Sequence, residues 1–401
     1  MRNIIFSLFV ILSFTLLGQQ TQEFRQDFTI PSEAFGDDRK ISVYLPSDYY
    51  NYPDQKYTLT YVLDGQSDLF MDLVVKTIDY NSHMYNFIPT IVVGVHAKER
   101  GWEFSQPEEG DEKHDYKGGR APELQEHFKK EIFPFMDSAF ERSLDFRTII
   151  GHSSGGQFVL NTLFGENSDL FDAYIGISPA LRPGENKILE MANARFQNNS
   201  RLNKFLYCST GTVGGGEEIF DVAINQLDSL LKTHPNNGLL WQRTRFTDFD
   251  HFMVVGPSVN EAMVFLTRAF RPDEMTILKM ANKKVDLGVQ LDRFYKNRQE
   301  EYGFSEIPLA GQIHFWSLAL MRKENYQAAT ELYSWGIKKH PNNYTLRKSK
   351  GKLYLKIDQE ENAEKLFREA LEVLNSIKDK VPEDFYTEQL DYINKKLESL
   401  K

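Results

Sequence analysis

The 401-residue sequence predicts an α/β protein followed by a small all-helical region. From about residue 22 to residue 270, apolar strand-like runs alternate with helix-like segments. Such alternation is typical of a mostly parallel sheet with helices on both faces. After residue 280 the strand-like runs stop, and a short pattern of small and aromatic residues is repeated along helix-like sequence. These observations together predict two structural units.

The predicted strands are Phe24–Ile30, Lys40–Leu45, Tyr57–Leu63, Pro89–Val95, Phe146–Ile150, Asp172–Ile177, Phe205–Cys208 and Leu240–Phe249. Several are continuously apolar, which indicates strands buried on both faces. The predicted helices begin near Ala121, Gln157, Glu218 and Ser258. A long polar loop, Ala97–Gly119, precedes the first of them, and loops of that length are often functional.

The N-terminus has the pattern of a cleaved secretory signal, residues 1–20. Arg2 precedes an apolar run, Ile4–Leu17, which is too short to span a bilayer comfortably. We therefore expect an exported protein, periplasmic or secreted; a retained signal anchor is the alternative. The formal net charge of −10 disfavours nucleic acid as a partner. The one cysteine, Cys208, cannot form an intrachain disulfide and is expected to be buried.

The C-terminal region contains two copies of one pattern. Ala329, Tyr333 and Gly336 are followed 34 residues later by Ala363, Phe367 and Ala370. The spacing resembles the tetratricopeptide repeat, in which two helices pack small residues against aromatic ones, and Glu383–Leu400 could form a capping helix. An unrelated helical hairpin is the alternative. We predict an α/β domain over residues 21–275 and the helical repeats over residues 276–401.

Gly151-His152-Ser153-Ser154-Gly155 matches the nucleophile elbow of α/β-hydrolases, between a predicted strand and a predicted helix. The sharp turn strains the serine backbone, so the residues two before and two after it must be small. It also raises the serine hydroxyl to a helix N-terminus, where backbone N–H groups can stabilise negative charge. The pattern predicts Ser153 as a nucleophile; a simple turn is the alternative.

A serine nucleophile needs a base, and His251 lies where this fold keeps it, in a loop after the last predicted strand. An acid should lie between the two in sequence, just beyond the preceding strand. Glu217, Glu218 and Asp221 are candidates, and Glu217 is preferred. Acids are also favoured in a first helical turn for electrostatic reasons alone.

The oxyanion hole should combine the Ser154 N–H with one from Gln66 or Gly65, after an earlier strand. Asp64 is expected to brace that loop. Arg100, Trp102 and Arg120, in or beside the long polar loop, could hold an anionic or aromatic acyl group. A solvated charged loop is the alternative for each of them.

The residue set resembles an esterase family that includes esterase D, feruloyl and acetylxylan esterases and enterobactin-type siderophore esterases. The resemblance rests on Tyr61–Gln66, Val93–Val95 with Arg100, Gly118-Gly119 with Leu124 and Phe128, Gly151–Gly156 and Asp250–Phe252. It implies hydrolysis of a carboxylic ester, of siderophore or carbohydrate-linked type, by a serine triad without metal or organic cofactor. Extra glycines before Glu217 depart from the family pattern and blur the position of the acid.

A second hypothesis is a catalytically silent hydrolase fold that binds a protein partner through its helical repeats. Against it, the serine, the histidine and the small elbow residues are all present. The repeats could also serve self-association, or could pack beside the active-site mouth.

Overall fold

The computed structural model describes residues 24–47, 49–50, 55–107, 119–182, 187–197, 201–235, 237–305 and 308–400. The predicted signal segment and residues 108–118 of the polar loop lie outside the described residues. Export and signal cleavage therefore stay predictions. None of the described helices has the length and apolar character needed to cross a membrane.

The described strands form one eight-stranded sheet in the order β1-β2-β4-β3-β5-β6-β7-β8. They are β1 (Arg25–Ser32), β2 (Asp37–Tyr44), β3 (Tyr57–Leu63), β4 (Thr90–Val95), β5 (Ser143–His152), β6 (Ala173–Ile177), β7 (Phe205–Thr210) and β8 (Leu240–Arg245). β2 is antiparallel to both of its neighbours, and all later pairings are parallel. The predicted mostly parallel sheet is confirmed.

Helices cover both faces of this sheet, as predicted. They are α1 (Asp68–His83), α2 (Arg100–Glu103), α3 (Ala121–His127), α4 (Phe133–Ala139), α5 (Ser154–Phe164), α6 (Lys187–Gln197), α7 (Gly215–Thr233) and α8 (Val255–Phe270). A π-helical turn, Phe128–Ile132, joins α3 to α4.

The strands are buried on both faces because successive side chains of a strand point to opposite sides of the sheet. On β3, Leu59 and Tyr61 lie in one apolar cluster and Val62 lies in another. The first cluster packs under α3 to α7, and the second packs under α1 and α8. This arrangement leaves the carboxyl ends of the parallel strands as the edge where loops meet.

The last strand is shorter than predicted and ends at Arg245 instead of Phe249. Asp248 has a φ of +64°, and its N–H donates to Thr212 Oγ1 at 2.8 Å. A residue in this left-handed conformation cannot continue a strand. The chain therefore turns back over the loop that follows β7.

The C-terminal region is all-helical, as predicted. It contains α9 (Glu274–Ala281), α10 (Leu287–Tyr302), α11 (Ala310–Arg322), α12 (Tyr326–Lys339), α13 (Tyr344–Lys356), α14 (Glu360–Ser376) and α15 (Glu383–Glu398), with a 3₁₀ turn at Lys378–Lys380. The residues of the repeated pattern are buried in α12 and α14. A Cβ added at Gly336 would lie 2.9 Å from Ile313 Cγ2, which explains the need for a small residue there.

The helical region attaches where β5 and β7 begin. Phe304, just after α10, has its ring centroid 4.5 Å from that of Phe146 on β5 and 5.0 Å from that of Phe270 on α8. Phe270 belongs to the second sheet cluster, whereas Ile277 belongs to a separate helical cluster. We retain the domain division near residue 275 as a proposal, since packing changes between these two residues.

Candidate active site

Ser153 occupies the turn between β5 and α5 with φ 60° and ψ −119°. Non-glycine residues rarely adopt such a conformation, and it persists only where the surroundings hold it. Two backbone hydrogen bonds do so: the Ser153 N–H donates to the Ile177 carbonyl at 3.0 Å, and the Ala180 N–H donates to the Ser153 carbonyl at 3.0 Å. Ile177 is the last residue of the neighbouring strand β6 and Ala180 lies just after it, so the elbow is anchored to the sheet.

The steric demands of this turn fall on particular glycines. A Cβ at Gly151 would lie 2.3 Å from the backbone of Gly155, and one at Gly156 would lie 3.0 Å from Pro179 Cα. At Gly155 the nearest atom would be a Leu63 side-chain carbon at an ordinary 3.5 Å. The prediction that the residues two before and two after Ser153 must be small is therefore confirmed for Gly151. Gly155 has room for a Cβ, and the crowded position after the serine is Gly156 instead.

His251 and Glu217 lie in direct contact. His251 Nδ1 is 2.6 Å from Glu217 Oε1, and the carboxylate is almost fully buried, at 1% exposure, in the first turn of α7. The loop between β7 and α7 is held against the loop that carries His251, because the N–H groups of Thr212 and Val213 both donate to the Phe249 carbonyl, at 2.9 and 3.1 Å. An imidazole with this contact at Nδ1 keeps its Nε2 as the nitrogen that can accept a proton.

The Glu217 carboxylate is held in its charged form. Burial alone would raise its pKa, but hydrogen bonds from His251, Ser178 and the Gly211 N–H together lower it below its ordinary value. The Gly211 N–H donates to Oε2 at 2.5 Å, and Ser178 and His251 both donate to Oε1. A buried carboxylate with several donors is suited to orienting and stabilising a histidine that gains a proton.

The two alternative acids lie in different surroundings. Glu218 is exposed on α7. Asp221 forms ion pairs with Arg243 and Arg245 and accepts a hydrogen bond from Thr210 Oγ1 at 2.6 Å. Of the three predicted candidates, the structure brings only Glu217 to His251.

Ser178 is a site residue that sequence reasoning missed. It follows β6 with φ 42°, is fully buried, donates its hydroxyl to Glu217 Oε1, and places Oγ 3.1 Å from His251 Nδ1. Its position just past a parallel strand next to β5 was the available signal, because ligand sites of such sheets lie beyond the carboxyl ends of the strands. Ser178 thus connects the acid and the base.

Of the two backbone N–H groups predicted as oxyanion donors in the loop after β3, that of Gly65 already has a carbonyl acceptor within the protein and that of Gln66 does not, among the described residues. The Gly65 N–H is already bonded to the Val95 carbonyl at 2.9 Å, whereas among the described residues no backbone carbonyl accepts from the Gln66 N–H. The Gln66 side chain fixes the loop, since its Oε1 accepts from the Ala97 N–H at 2.9 Å. This arrangement favours Gln66 over Gly65.

Arg100 connects that loop to the elbow. Its guanidinium holds both oxygens of Asp64, at 2.7 and 3.0 Å, and also donates to the His152 carbonyl at 3.1 Å. Asp64 therefore has the bracing position expected for it. Arg100 was predicted as a substrate-binding residue. In the structure its positive charge is paired with the Asp64 carboxylate, next to the residue that precedes Ser153.

The other two predicted substrate-binding residues lie together. The Arg120 guanidinium is 5.7 Å from the Trp102 ring centroid, a cation–π distance, and its Nε pairs with Glu123 at 3.2 Å. The Arg120 N–H donates to the Trp102 carbonyl at 2.8 Å. Both side chains are half-buried, and they form a packed pair of an indole ring and a guanidinium group.

His152, inside the elbow, packs against the candidate base. The two imidazole centroids are 4.5 Å apart, and His152 Nε2 donates to the His251 carbonyl at 2.8 Å. Burial, followed by repulsion from His251, lowers the pKa of His152 to about 4. His152 is therefore neutral at neutral pH and adds no positive charge beside the base.

The lowered pKa of His152 predicts a pH-dependent stability. Between its ordinary pKa of about 6.5 and its native pKa, the unfolded chain binds a proton at this residue that the folded chain does not, so the free energy of unfolding decreases as pH falls. His152→Gln keeps an N–H donor and removes the titration. When the pH is lowered from about 7 to about 4.5, we expect the free energy of unfolding of the variant to fall by about 2 kcal/mol less than that of the unchanged protein. Urea denaturation at both pH values measures this difference. An equal fall in both proteins would contradict the lowered pKa of His152.

Comparison with known proteins identifies the family. Residues 32–252 match the family model described as "Putative esterase", a span that contains Ser153, Glu217 and His251. The chain belongs to this family. It is accordingly a hydrolase of the esterase type, as the sequence resemblance implied. The sequence has no significant match among curated proteins.

Solved structures share the esterase fold. An IroE-like serine hydrolase from Shewanella oneidensis has a TM-score of 0.63 and 19% identity, covering 79% of this chain and 99% of that one. An uncharacterised protein from Capnocytophaga ochracea has a TM-score of 0.60 and 16% identity, covering 92% and 99%. The siderophore hydrolase EstA from Aspergillus nidulans has a TM-score of 0.53 and 20% identity, covering 64% and 98%. At these levels of sequence identity, the structural similarity shows that the chains share a fold.

The helical region of this esterase lies far from the elbow. Its contact residue on β5, Phe146, is seven residues before Ser153, or roughly 20 Å along a strand. The suggestion that these helices pack beside the active-site mouth is therefore wrong, since they attach where the strands begin. Among the described residues, no group of three or more His, Cys, Asp or Glu side chains is arranged to hold a metal ion.

Proposed function

We propose that this esterase hydrolyses a carboxylic ester through an acyl-enzyme, with Ser153 as nucleophile, His251 as base and Glu217 as acid. The observation that carries the proposal is the contact of 2.6 Å between the buried Glu217 carboxylate, in the first turn of α7, and Nδ1 of His251. The loop that carries His251 packs against His152, next to the strained Ser153 turn. The hydrogen bond from Ser153 Oγ to His251 Nε2 is part of the proposal. It would form as substrate closes the site, since catalytic hydrogen bonds are often long in unliganded enzymes.

In the first step, Ser153 Oγ attacks the ester carbonyl carbon while His251 Nε2 takes the hydroxyl proton. The C–O bond to the leaving group then breaks, and the proton on His251 passes to the departing alkoxide. The acyl group is now bonded to Ser153. Glu217 stabilises the protonated imidazole without itself taking the proton.

In the second step, water attacks the acyl-enzyme while His251 again accepts a proton. The Ser153–acyl bond breaks, the carboxylic acid leaves, and Ser153 regains its proton from His251. In both steps the carbonyl oxygen becomes negative. The N–H groups of Ser154, at the start of α5, and of Gln66 are the proposed donors to that oxygen.

For the substrate we propose a siderophore-type or carbohydrate-linked ester. Support comes from family membership and from the name of the structurally similar siderophore hydrolase EstA. As part of the proposal, the Trp102–Arg120 pair would contact an acyl group that is aromatic or anionic, because such a group can stack on an indole and approach a guanidinium. Arg100, held by Asp64, would act mainly by fixing the elbow.

The serine mechanism can be tested by covalent labelling. An alkyl fluorophosphonate reacts with an activated serine and mimics the tetrahedral intermediate, so we expect one adduct on the peptide that carries Ser153. The Ser154→Ala variant, which keeps its backbone N–H, should label like the unchanged protein, whereas Ser153→Ala should not label. Intact-protein and peptide mass spectrometry give the readout. Labelling at any other serine would contradict the proposed nucleophile.

A further inference from the structure

A cavity of about 400 Å³ lies where the helical region meets the α/β domain. Its described walls come from the end of α1 and the loop after it, from α8, from the start of α9 and from α11. The loop after α1 leads into the first residue of β4, so the cavity lies near the beginnings of the strands, at the opposite end of the sheet from Ser153. Small-molecule sites commonly have volumes of about 300–1,000 Å³ and lie preferentially between domains. We define this junction cavity by six of its lining residues, Asn81, Asn86, Asn260, Arg268, Gln312 and Phe315.

The walls of the junction cavity are held together by Arg271, a buried residue just after α8. Its Nη1 donates to the carbonyls of Tyr85 and Phe87, at 3.0 and 3.3 Å, and to Gln312 Oε1 at 3.3 Å. A Cβ at Gly311 would lie 2.0 Å from the Tyr85 hydroxyl oxygen, so α11 packs directly on the loop after α1. These contacts fix the position of α11 relative to α1 and α8. The cavity is therefore formed by the folded chain itself, before any ligand binds.

Two buried side chains of α11 line the junction cavity with donors that have no acceptor in the described part of the chain. Gln312 is 5% exposed and Trp316 is 1% exposed, and they lie one helical turn apart on the same side of α11. Among the described residues, neither the Gln312 Nε2 nor the Trp316 indole N–H donates a hydrogen bond, and the Gln312 amide is bonded only at Oε1. Nearly all buried polar groups of native proteins have a hydrogen-bond partner, so such donors at a cavity wall indicate a ligand or water as the acceptor.

The amides of the junction cavity offer both donors and acceptors. Asn86 Nδ2 donates to Asn81 Oδ1 at 3.3 Å, and Asn81 Nδ2 donates to Asn260 Oδ1 at 3.4 Å. Within the described ranges, Asn86 Oδ1 and Asn260 Nδ2 have no other partner, so one acceptor and one donor are available beside the two donors of α11. A hydroxyl group both donates and accepts, whereas an ammonium only donates and a carboxylate only accepts. This mixture of groups therefore matches a ligand rich in hydroxyl groups.

The charges of the lining and an exposed aromatic ring define the ligand further. The described lining includes two arginines, Arg268 and Arg271, and two acids, Asp273 and Glu274. Their formal charges cancel, so the junction cavity offers no net charge that would offset the cost of burying an ionic ligand. Phe315 also lines the cavity and is 40% exposed, and the face of its ring can pack against C–H groups. A sugar ring presents such C–H groups on its face and hydroxyl groups at its edge.

We propose that the junction cavity binds a neutral carbohydrate. Hydroxyl oxygens of the sugar accept from Gln312 Nε2 and from the Trp316 indole N–H, and a hydroxyl group donates to Asn86 Oδ1. The C–H face of the sugar ring packs on Phe315. Such a site holds the enzyme on a glycan at one end of the sheet, while small esters reach Ser153 at the other end. The proposal does not depend on the serine mechanism, because it uses no residue of that site.

The full-length protein can be titrated with glucose, galactose, mannose, xylose and cellobiose, with binding followed by saturation-transfer difference NMR. We expect at least one of these sugars to bind saturably with a Kd of about 1 mM or tighter, and glucuronate and glucosamine to bind more weakly. Phe315→Ala should weaken sugar binding about tenfold, since the aromatic surface is lost. Trp316→Phe keeps an aromatic ring and removes the N–H donor, and it should weaken sugar binding about fivefold.

The matched control is Phe252→Ala, which makes the same change at an exposed phenylalanine next to His251. It should leave sugar binding unchanged, because Phe252 lies at the other end of the sheet. Phe315 is exposed, so its replacement should leave the fold intact, and thermal melting would verify that all three variants fold.

Three outcomes would overturn the proposal: no binding of any of the five sugars, equal weakening by Phe315→Ala and Phe252→Ala, or tighter binding of glucuronate or glucosamine than of every neutral sugar. The second outcome would place the sugar beside His251. Ester hydrolysis and fluorophosphonate labelling should be unchanged in Phe315→Ala, because the junction cavity is remote from Ser153. Failure of sugar binding is therefore distinguishable from failure of the esterase mechanism.

Discussion

Replacing Ser153 by alanine is expected to lower kcat for hydrolysis of short-chain p-nitrophenyl esters by about 10⁵- to 10⁶-fold. The variant loses the atom that forms the acyl bond, so only the proposed oxyanion donors and substrate binding continue to act. Alanine has the same Cβ as serine, and the strained turn at φ 60° is therefore unchanged. The expected loss is in turnover alone, measured as initial rates at saturating ester.

The matched control is Ser154→Ala. Ser154 contributes its backbone N–H in the proposed mechanism, and removal of its hydroxyl leaves that group in place. Its kcat should stay close to that of the unchanged protein, and both variants should melt near the same temperature. Turnover by Ser153→Ala within an order of magnitude of the unchanged protein would contradict the assigned nucleophile.

The sheet and the elbow could be predicted because the signals for both are local. Tyr57–Leu63 was predicted with its observed limits, since a fully buried strand is a continuous apolar run bounded by polar residues. The elbow was predictable because a backbone turn this tight excludes Cβ atoms at fixed offsets, as Gly151 shows. Neither inference needed knowledge of which distant residues meet.

The choice of acid was left among three residues because it depends on where α7 begins. Neighbouring residues of a helix are rotated by about 100° from each other, so Glu217 and Glu218 cannot both face His251. The glycines before Glu217 hide the helix start in sequence, and the helix in fact begins at Gly215. One residue of uncertainty at the start therefore changes the predicted acid.

Long-range partners were beyond the sequence argument. Arg100 looked free to meet a substrate because its partner, Asp64, lies 36 residues earlier in the chain. Ser178 gave no signal as a single residue, since its role arises only when β6, α7 and the His251 loop meet. The docking of Phe304 against Phe146 likewise depends on how two separately predicted units pack.

Replacing Glu217 by glutamine is expected to lower kcat by about 10³- to 10⁴-fold, the second largest effect. The carboxylate accepts from His251, Ser178 and the Gly211 N–H with two oxygens. An amide has only one acceptor oxygen, so its NH₂ must face at least one of these donors. Either Gly211 loses its partner, or His251 takes the tautomer that cannot accept the Ser153 proton.

Glu218→Gln is the matched control for this prediction, because it makes the same chemical change one residue along α7 at an exposed position. It should leave kcat nearly unchanged. Steady-state rates and thermal melting of both variants separate a loss of catalysis from a loss of folding. A larger loss in Glu218→Gln than in Glu217→Gln would show that the acid acts from the neighbouring position, with α7 rotated relative to His251. The opposite ranking, with both proteins folded, would assign the orientation of His251 to Glu217, because the two variants have the same charge and differ only in which side of α7 carries the amide.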